Sequence, residues 1–335
     1  MAAPRPGRLP LTYVESRARF RQAAREADVP VDAHPIDARG PDGERLTIDV
    51  ARLGDANAQH VLLVLAGVHG VEGFAPSALQ AELLERWRHP PDAVAIGGVH
   101  AVNPWGMAWW RRQDESNVDL NRIWRRDDGV PFDNAAYDEL HPLPCPDVDE
   151  LPDVTTMLAD AQALIEQREA SNRILERVIP TLVGDATKVL TVDLHTGHGP
   201  RGTFMALCNQ PPGSDQARFL ATWCDRVEAT TGNPDATTAL KAGQIAAGFA
   251  TEFPDATCFA TSLEIGTADD ITQLAATYQE QWVHRRGNRD DPAHLAATWA
   301  YRCCFTPDDP DWELAALEGG RVHLDRALEA VAAWT

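Results

Sequence analysis

The chain has 335 residues, of which 44% are hydrophobic, and its formal net charge is −20. This composition excludes a disordered chain, and the negative charge disfavours a partner with a phosphate backbone, so we expect no nucleic-acid partner. No apolar run approaches the ~20 residues that span a bilayer, and the N-terminus has no apolar signal segment. We therefore expect a cytoplasmic protein without a membrane partner. The six cysteines form no CxxC pair, which argues against a zinc ribbon or a disulfide framework.

The predicted secondary structure alternates between helices and strands. In chain order it comprises a helix over 13–27, strands over 45–53 and 60–66, a helix over 74–87, a strand over 93–99, a helix over 155–178, strands over 188–194 and 202–208, a helix over 216–229, a strand over 257–265, and helices over 271–283, 292–302 and 312–333. Several strands are continuous apolar runs, such as HVLLVLA, which are typical of strands buried on both faces. We predict an α/β fold with a mixed, largely parallel sheet covered by helices on both faces.

The domain organisation is predicted to be simple. No repeat and no clear linker divides the sequence, so we expect a single domain over 1–335. Residues 127–153 are acidic and proline-rich, and we predict that they form a surface insertion or lid. The sequence leaves the oligomeric state open.

Three of the buried strands end in residues that can bind a metal or move a proton. His69 and Glu72 follow the first (VLLVLAGVHGVEGF), His195 ends the second (VLTVDLHTGHGP), and Glu264 ends the third (CFATSLEIGT). Functional sites in open α/β sheets gather outside the carboxyl ends of the strands, so these side chains can converge.

Zinc suits this set of residues. His69, Glu72 and His195 would form a His2Glu site that leaves one coordination position for water. The ion lowers the pKa of that water to about 7, and Glu264 is the candidate that takes its proton. Each residue also has an ordinary interpretation, such as a hydrogen-bonded core histidine, and the same ligands accept other divalent ions. The residues alone leave these alternatives open.

These motifs, with NPWGMAWWRRQDESNVDLNR between the first two, resemble the zinc carboxypeptidase superfamily of carboxypeptidase A. Within it, the chain is most similar to a bacterial family of predicted metallopeptidases of unknown function, and the likeness covers residues 45–285. The HG-x-E form of the first motif is closer to the succinylglutamate desuccinylase and aspartoacylase branch. The resemblance implies one zinc ion on His69, Glu72 and His195, with Glu264 as general base and acid.

The resemblance also implies roles for the segment RRQDESNVDLNR. Asp119 is similar to the carboxylate that orients the first histidine. Asn121 and Arg122 resemble the pair that binds a substrate carboxylate. Arg112 is similar to the arginine that stabilises the oxyanion. The sequence leaves open whether Arg112 or the adjacent Arg111 has that place, and Arg111 is also a candidate for substrate binding. Without the resemblance, each has an ordinary interpretation as a turn cap or a solvated charge.

We therefore expect a zinc-dependent hydrolase, most simply a metallocarboxypeptidase that acts on a peptide C-terminus. Two departures from that family leave the substrate open. Val71 stands between the first two ligands where many carboxypeptidases carry an arginine, and KAGQIAAGF, upstream of Glu264, lacks the mobile tyrosine of the digestive enzymes. The alternative is a deacylase of an N-acyl amino acid or another small amide. A non-catalytic binding protein on a peptidase fold is a further alternative.

Overall fold

The computed structural model describes residues 9–124, 170–233, 244–249, 252–288 and 290–335. The strands are β1 (Val31–Arg39), β2 (Arg45–Leu53), β3 (His60–Ala66), β4 (Val94–His100), β5 (Lys188–Gly197), β6 (Phe204–Cys208), β7 (Val227–Ala229) and β8 (Thr257–Gly266). The helices are α1 (Tyr13–Glu26), α2 (Phe74–Arg86), α3 (Pro104–Trp109), α4 (Ala170–Val183), α5 (Asp215–Leu220), α6 (Ile245–Phe249), α7 (Asp270–Arg286), α8 (Pro292–Phe305) and α9 (Pro310–Ala332). Two short 3-10 turns cover Gly70–Glu72 and Leu120–Arg122.

The strands form one mixed sheet in the order β1-β2-β4-β3-β5-β8-β6-β7. Its centre is a parallel block of β4, β3, β5 and β8. β2 and β6 pair antiparallel with the two edges of this block. Because parallel strands direct their carboxyl ends to the same edge, the chain segments that follow β3, β5 and β8 meet there.

Helices cover both faces of this sheet. Side chains alternate along a strand, and in β3 the alternation divides the core in two. Leu62 and Val64 pack in a cluster with α2 and α9, whereas Leu63 and Leu65 pack in a cluster with α4. Both faces of β3 are buried, as its unbroken apolar run predicts. The predicted fold class is thereby confirmed.

Two parts of the structure differ from the predicted elements. The segment after α1, for which no element is predicted, contains β1, an edge strand that includes Pro35 and pairs only with β2 among the described residues. An edge strand tolerates proline because one side of its backbone forms no ladder hydrogen bonds. The helix predicted over 216–229 is wrong beyond Leu220, where α5 ends, since the chain then forms β7.

Some predictions fall wholly or partly outside the described residues. The predicted insertion or lid over 127–153 lies outside them, as does the start of the helix predicted over 155–178. The single domain over 1–335 stays a prediction. None of the helices in the described ranges has the length and apolar character that a bilayer crossing requires.

Candidate functional site

The first two candidate ligands lie on the tight turn that follows β3. His69 precedes the 3-10 turn Gly70–Glu72, so its side chain and that of Glu72 project from adjacent positions of one short segment. The turn packs directly against α3, because a Cβ at Gly70 would lie 2.0 Å from the carbonyl carbon of Gly106. A glycine is therefore required at position 70 for this close backbone approach.

The other two candidates lie on neighbouring strands at the same edge. His195 of β5 and Glu264 of β8 are register partners in the parallel ladder. The ligand atoms of His69, Glu72 and His195 all lie within 4.8 Å of one another, and the three side chains are buried. The structure thus brings together the three residues that the sequence singles out as metal ligands.

The donor atoms of this group fit a divalent cation. His69 Nδ1 lies 2.9 Å from Glu72 Oε1, and His195 Nδ1 lies 2.8 Å from Glu72 Oε2. His69 Nδ1 is buried and makes no hydrogen bond, because its approach to Glu72 lacks hydrogen-bond geometry. A buried polar atom without a partner needs an explanation. Two imidazole nitrogens and a carboxylate that face one another match the His2Glu set of open zinc sites.

In each of the two histidines, the ring nitrogen that faces away from Glu72 contacts a carboxylate. The His69 Nε2 atom lies 3.1 Å from Asp119 Oδ1, and the His195 Nε2 atom lies 2.7 Å from Asp193 Oδ2. Such contacts turn the opposite nitrogen, here Nδ1 in both rings, toward a metal. Asp119 is a sequence-based candidate, whereas Asp193 is not. The signal for Asp193 is its place two residues before His195 on a strand, which puts both side chains on one face.

The electrostatics of the group favour charged carboxylates. Burial acts to raise the pKa of the Glu72 carboxyl, but the charge of the nearby His69 and the hydrogen bond and charge of His195 hold this pKa well below its ordinary value. Burial likewise opposes ionisation of Asp119, and the nearby Arg112 and His69 keep the pKa of its carboxyl low. Burial acts to lower the pKa of His195, but Asp193 and Glu72 raise it.

Arg112 contacts both Glu72, one of the candidate ligands, and Asp119, the carboxylate beside His69. Its Nη1 donates to Glu72 Oε1 at 3.0 Å and its Nε donates to Asp119 Oδ2 at 3.1 Å. Although burial acts against the charged guanidinium, Asp119 and Glu72 raise the pKa of Arg112 above its ordinary value. Arg112 also lines the pocket in front of the group. A fixed positive charge therefore faces the place where a substrate would lie.

The adjacent Arg111 does not line this pocket. Its guanidinium is buried, with Nε 2.5 Å from Glu280 Oε1 and Nη2 2.9 Å from Asn117 Oδ1. The assignment of Arg111 to substrate binding is not supported by this geometry, since its charge is taken up inside the protein. The side chains of the two adjacent arginines therefore lie in different surroundings, which sequence spacing alone does not reveal.

The pocket has a volume of about 180 Å³. Asn121 and Arg122 line it together with Glu264, and Glu264 Oε2 lies 3.5 Å from the backbone N–H of His198. Burial lowers the pKa of the Arg122 guanidinium. The side-chain oxygen of Asn121 accepts a hydrogen bond from the N–H of Ile245 at 2.9 Å. The full lining is His69, Glu72, Arg112, Asn121, Arg122, His195, Thr196, Gly197, His198, Leu207, Gln244, Ser262, Glu264, Asp270, Gln273 and Phe305.

One solved structure shows the same class of fold, and two others are similar at lower TM-scores. A protein from Burkholderia mallei, provisionally assigned as a carboxypeptidase, matches with a TM-score of 0.51 at 16% identity, over 97% of this chain and 69% of that one. A metallo-carboxypeptidase from Burkholderia cenocepacia matches at 0.44 and 14%, over 94% and 70%. Succinylglutamate desuccinylase from Vibrio cholerae matches at 0.39 and 15%, over 83% and 67%. At such identities the likeness concerns the fold, which is the carboxypeptidase-like mixed α/β sheet.

The family of the chain follows from its sequence. Residues 10–170 and 166–318 match the family described as "Protein of unknown function (DUF2817)", and the chain belongs to this family. Comparison with curated proteins finds no match. The resemblance to carboxypeptidases, noted from the motifs, recurs at the level of the fold in the Burkholderia mallei structure.

Proposed function

We propose that this protein is a zinc-dependent hydrolase that cleaves an amide bond next to a carboxylate. The observation that carries the proposal is the convergence of His69, Glu72 and His195 within 4.8 Å of one another, in a pocket that also contains Glu264 and Arg122. The buried His69 Nδ1, which makes no hydrogen bond and faces Glu72 at 2.9 Å, supports a metal at this point. Open His2Glu sites with a nearby glutamate are suited to hydrolysis.

Zinc in such a site supplies Lewis acidity, which activates a water molecule and polarises a carbonyl group. Glu264 lines the pocket and is the register partner of His195, so it can accept a proton from the attacking water and deliver it to the leaving nitrogen. Arg112 lines the pocket beside Glu72 and stabilises negative charge that develops on the carbonyl oxygen. Arg122 binds the carboxylate of the substrate, with Asn121 beside it.

The first candidate within this class is a metallocarboxypeptidase. In that reaction the carboxylate held by Arg122 is the C-terminus of a peptide, and the scissile amide precedes the last residue. The three candidate ligands, Glu264 and Arg122 supply each group that this reaction needs.

The second candidate is a deacylase of an N-acyl amino acid. One observation favours it, since the volume of about 180 Å³ is small beside the ~300–1,000 Å³ of ordinary ligand pockets. A small pocket selects small substrates. Both candidates cleave the same kind of bond, and they differ in what lies on the acyl side of it.

A substrate panel tests both candidates. Zinc-loaded protein is assayed with peptides that have a free C-terminus, with the same peptides as C-terminal amides, and with N-acyl amino acids, each with and without a chelator. We expect hydrolysis that the chelator abolishes and that the amide cap reduces strongly, because the cap removes the partner of Arg122. A zinc-replete protein that hydrolyses none of these compounds contradicts the proposal and favours a non-catalytic binding protein.

A further inference from the structure

A buried ion pair links α7 to the segment that carries Arg112. Arg111 Nε lies 2.5 Å from Glu280 Oε1, and the two side chains are 4% and 3% exposed. The guanidinium also lies over the ring of Trp105, 5.8 Å from its centroid. The partners are 169 residues apart in the sequence, so the pair joins two distant parts of the chain.

The backbone carbonyl groups of Arg111 and Arg112 accept hydrogen bonds from the turn that carries His69 and Glu72. The N–H of Val71 donates to the Arg111 carbonyl at 2.8 Å, and the N–H of Gly70 donates to the Arg112 carbonyl at 3.4 Å. These two donors lie between His69 and Glu72 in the chain. A displacement of Arg111 therefore moves the backbone between two candidate ligands and, with it, the guanidinium of Arg112.

The same helix contacts the other half of the ligand set. Gln273 of α7 donates through Nε2 to the Gly197 carbonyl at 3.0 Å, two residues beyond His195. Gln273 and Glu280 lie seven residues apart, which is close to two helical turns, so they share one face of α7. One helix face thus contacts the Arg111 side chain through Glu280 and the end of β5 through Gln273.

Stability alone is a poor explanation for this pair. Removing two charges from water costs several kcal/mol per ion, and apolar pairs of similar volume often stabilise a protein as well or better. A buried bidentate pair does, however, define one geometry. The pair fixes the register of α7 against the arginine segment, which an apolar contact would leave less defined.

We infer that Glu280 is a positioning residue of the metal site, which acts through Arg111 on the His69–Glu72 turn and on Arg112. The inference rests on the proposed function for its catalytic consequence, but its consequence for metal binding is independent of any substrate. Glu280 does not line the pocket, so it touches neither substrate nor metal.

The test compares Glu280→Gln with Glu82→Gln. Glu82 is the matched control because it is a buried glutamate that accepts from Arg321 Nε at 2.6 Å and lies outside the pocket lining. Zinc affinity is measured by competition with a chelator, site geometry by visible absorption of the Co²⁺-loaded protein, and kcat and KM on an N-acyl amino acid or a peptide.

We expect Glu280→Gln to weaken zinc binding about 10-fold, the lower end of the range for groups that orient ligands. We also expect it to shift the Co²⁺ spectrum and to lower kcat with KM little changed, while Glu82→Gln changes none of these. Equal zinc affinity and identical spectra in the two variants would overturn the inference. If Glu280→Gln does not fold, the double variant Arg111→Leu/Glu280→Leu removes both charges together, and wild-type zinc affinity in that protein would overturn it as well. A wild type that hydrolyses no amide refutes the proposed function, but the comparison of zinc affinities still decides the role of Glu280.

Discussion

Asp193→Asn tests whether the carboxylate of Asp193 orients His195 for metal binding at the candidate site. The change keeps the shape of the side chain but removes the charge that faces His195 Nε2 at 2.7 Å. Asp193 is fully buried, so water does not replace the lost interaction. An asparagine can also donate its NH2 group to His195 Nε2, which would place the ring proton on Nδ1, the nitrogen that faces Glu72.

The expected loss of zinc affinity follows from a comparison of Asp193 with Asp119, the carboxylate that contacts His69. Substitution of such groups costs ~10–100-fold in metal affinity, or about 1.4–2.7 kcal/mol. The Asp193 side chain is 0% exposed and its contact is 2.7 Å, whereas the Asp119 side chain is 20% exposed and its contact with His69 is 3.1 Å. We expect Asp193→Asn to lie near the upper end of the range and Asp119→Asn near the lower end.

The assay is competition for zinc between each variant and a chelator of known affinity, at constant pH. Circular dichroism and thermal unfolding of the metal-free variants show whether the fold is intact. Zinc affinity of folded Asp193→Asn within a factor of two of wild type would refute the claim that this carboxylate prepares His195.

Three further predictions concern the pocket and the core. Glu264→Gln is expected to retain stoichiometric zinc but to lose about 10²–10⁴-fold in kcat, the range for general acid–base groups, and near-normal turnover by the zinc-loaded variant would remove Glu264 from that role. Arg122→Leu is expected to raise KM for substrates with a free carboxylate, while KM for the matched C-terminal amides stays the same, and a parallel rise for both would show that Arg122 does not bind the carboxylate. Burial lowers the pKa of His100 from 6.5 to about 4, so between these values the unfolded chain binds a proton that the folded protein excludes. Stability is therefore full above pH 6.5 and falls by up to about 3 kcal/mol as the pH drops toward 4, and urea unfolding of wild type and His100→Gln with the same pH dependence would contradict this.

The sequence predicts the centre of the fold and of the site well because both depend on local patterns. The run that forms β3 is apolar from Val61 to Ala66 and ends three residues before His69, so periodicity and chemistry indicate the same strand end. His195 and Glu264 are predicted in the same way from β5 and β8. The edge strand β1 is not predicted, because its proline and its mostly exposed side chains resemble a loop.

The remaining parts of the site depend on contacts that local patterns do not contain. Arg111 and Arg112 are adjacent and of one type, but they have different partners. Glu280 of α7 pairs with Arg111, whereas Glu72 and Asp119 pair with Arg112. Asp193 lies within a strand motif, but its role requires knowing which nitrogen of His195 turns toward Glu72. Such long-range partners become visible only when the tertiary structure is known.

The pairing of β5 with β8 has a consequence for the durability of the site. The ladder runs without a break from Lys188 and Thr257 to Gly197 and Gly266, and it places His195 opposite Glu264. A slip of one residue would send Glu264 to the opposite face of the sheet, because side chains alternate. The distance between the candidate ligand His195 and the candidate proton acceptor Glu264 is therefore set by the register of two buried central strands. Such strands open only on global unfolding, so their amides should be among the slowest to exchange with solvent deuterium. The spacing of the reactive groups should then persist in every partly open state in which the sheet survives.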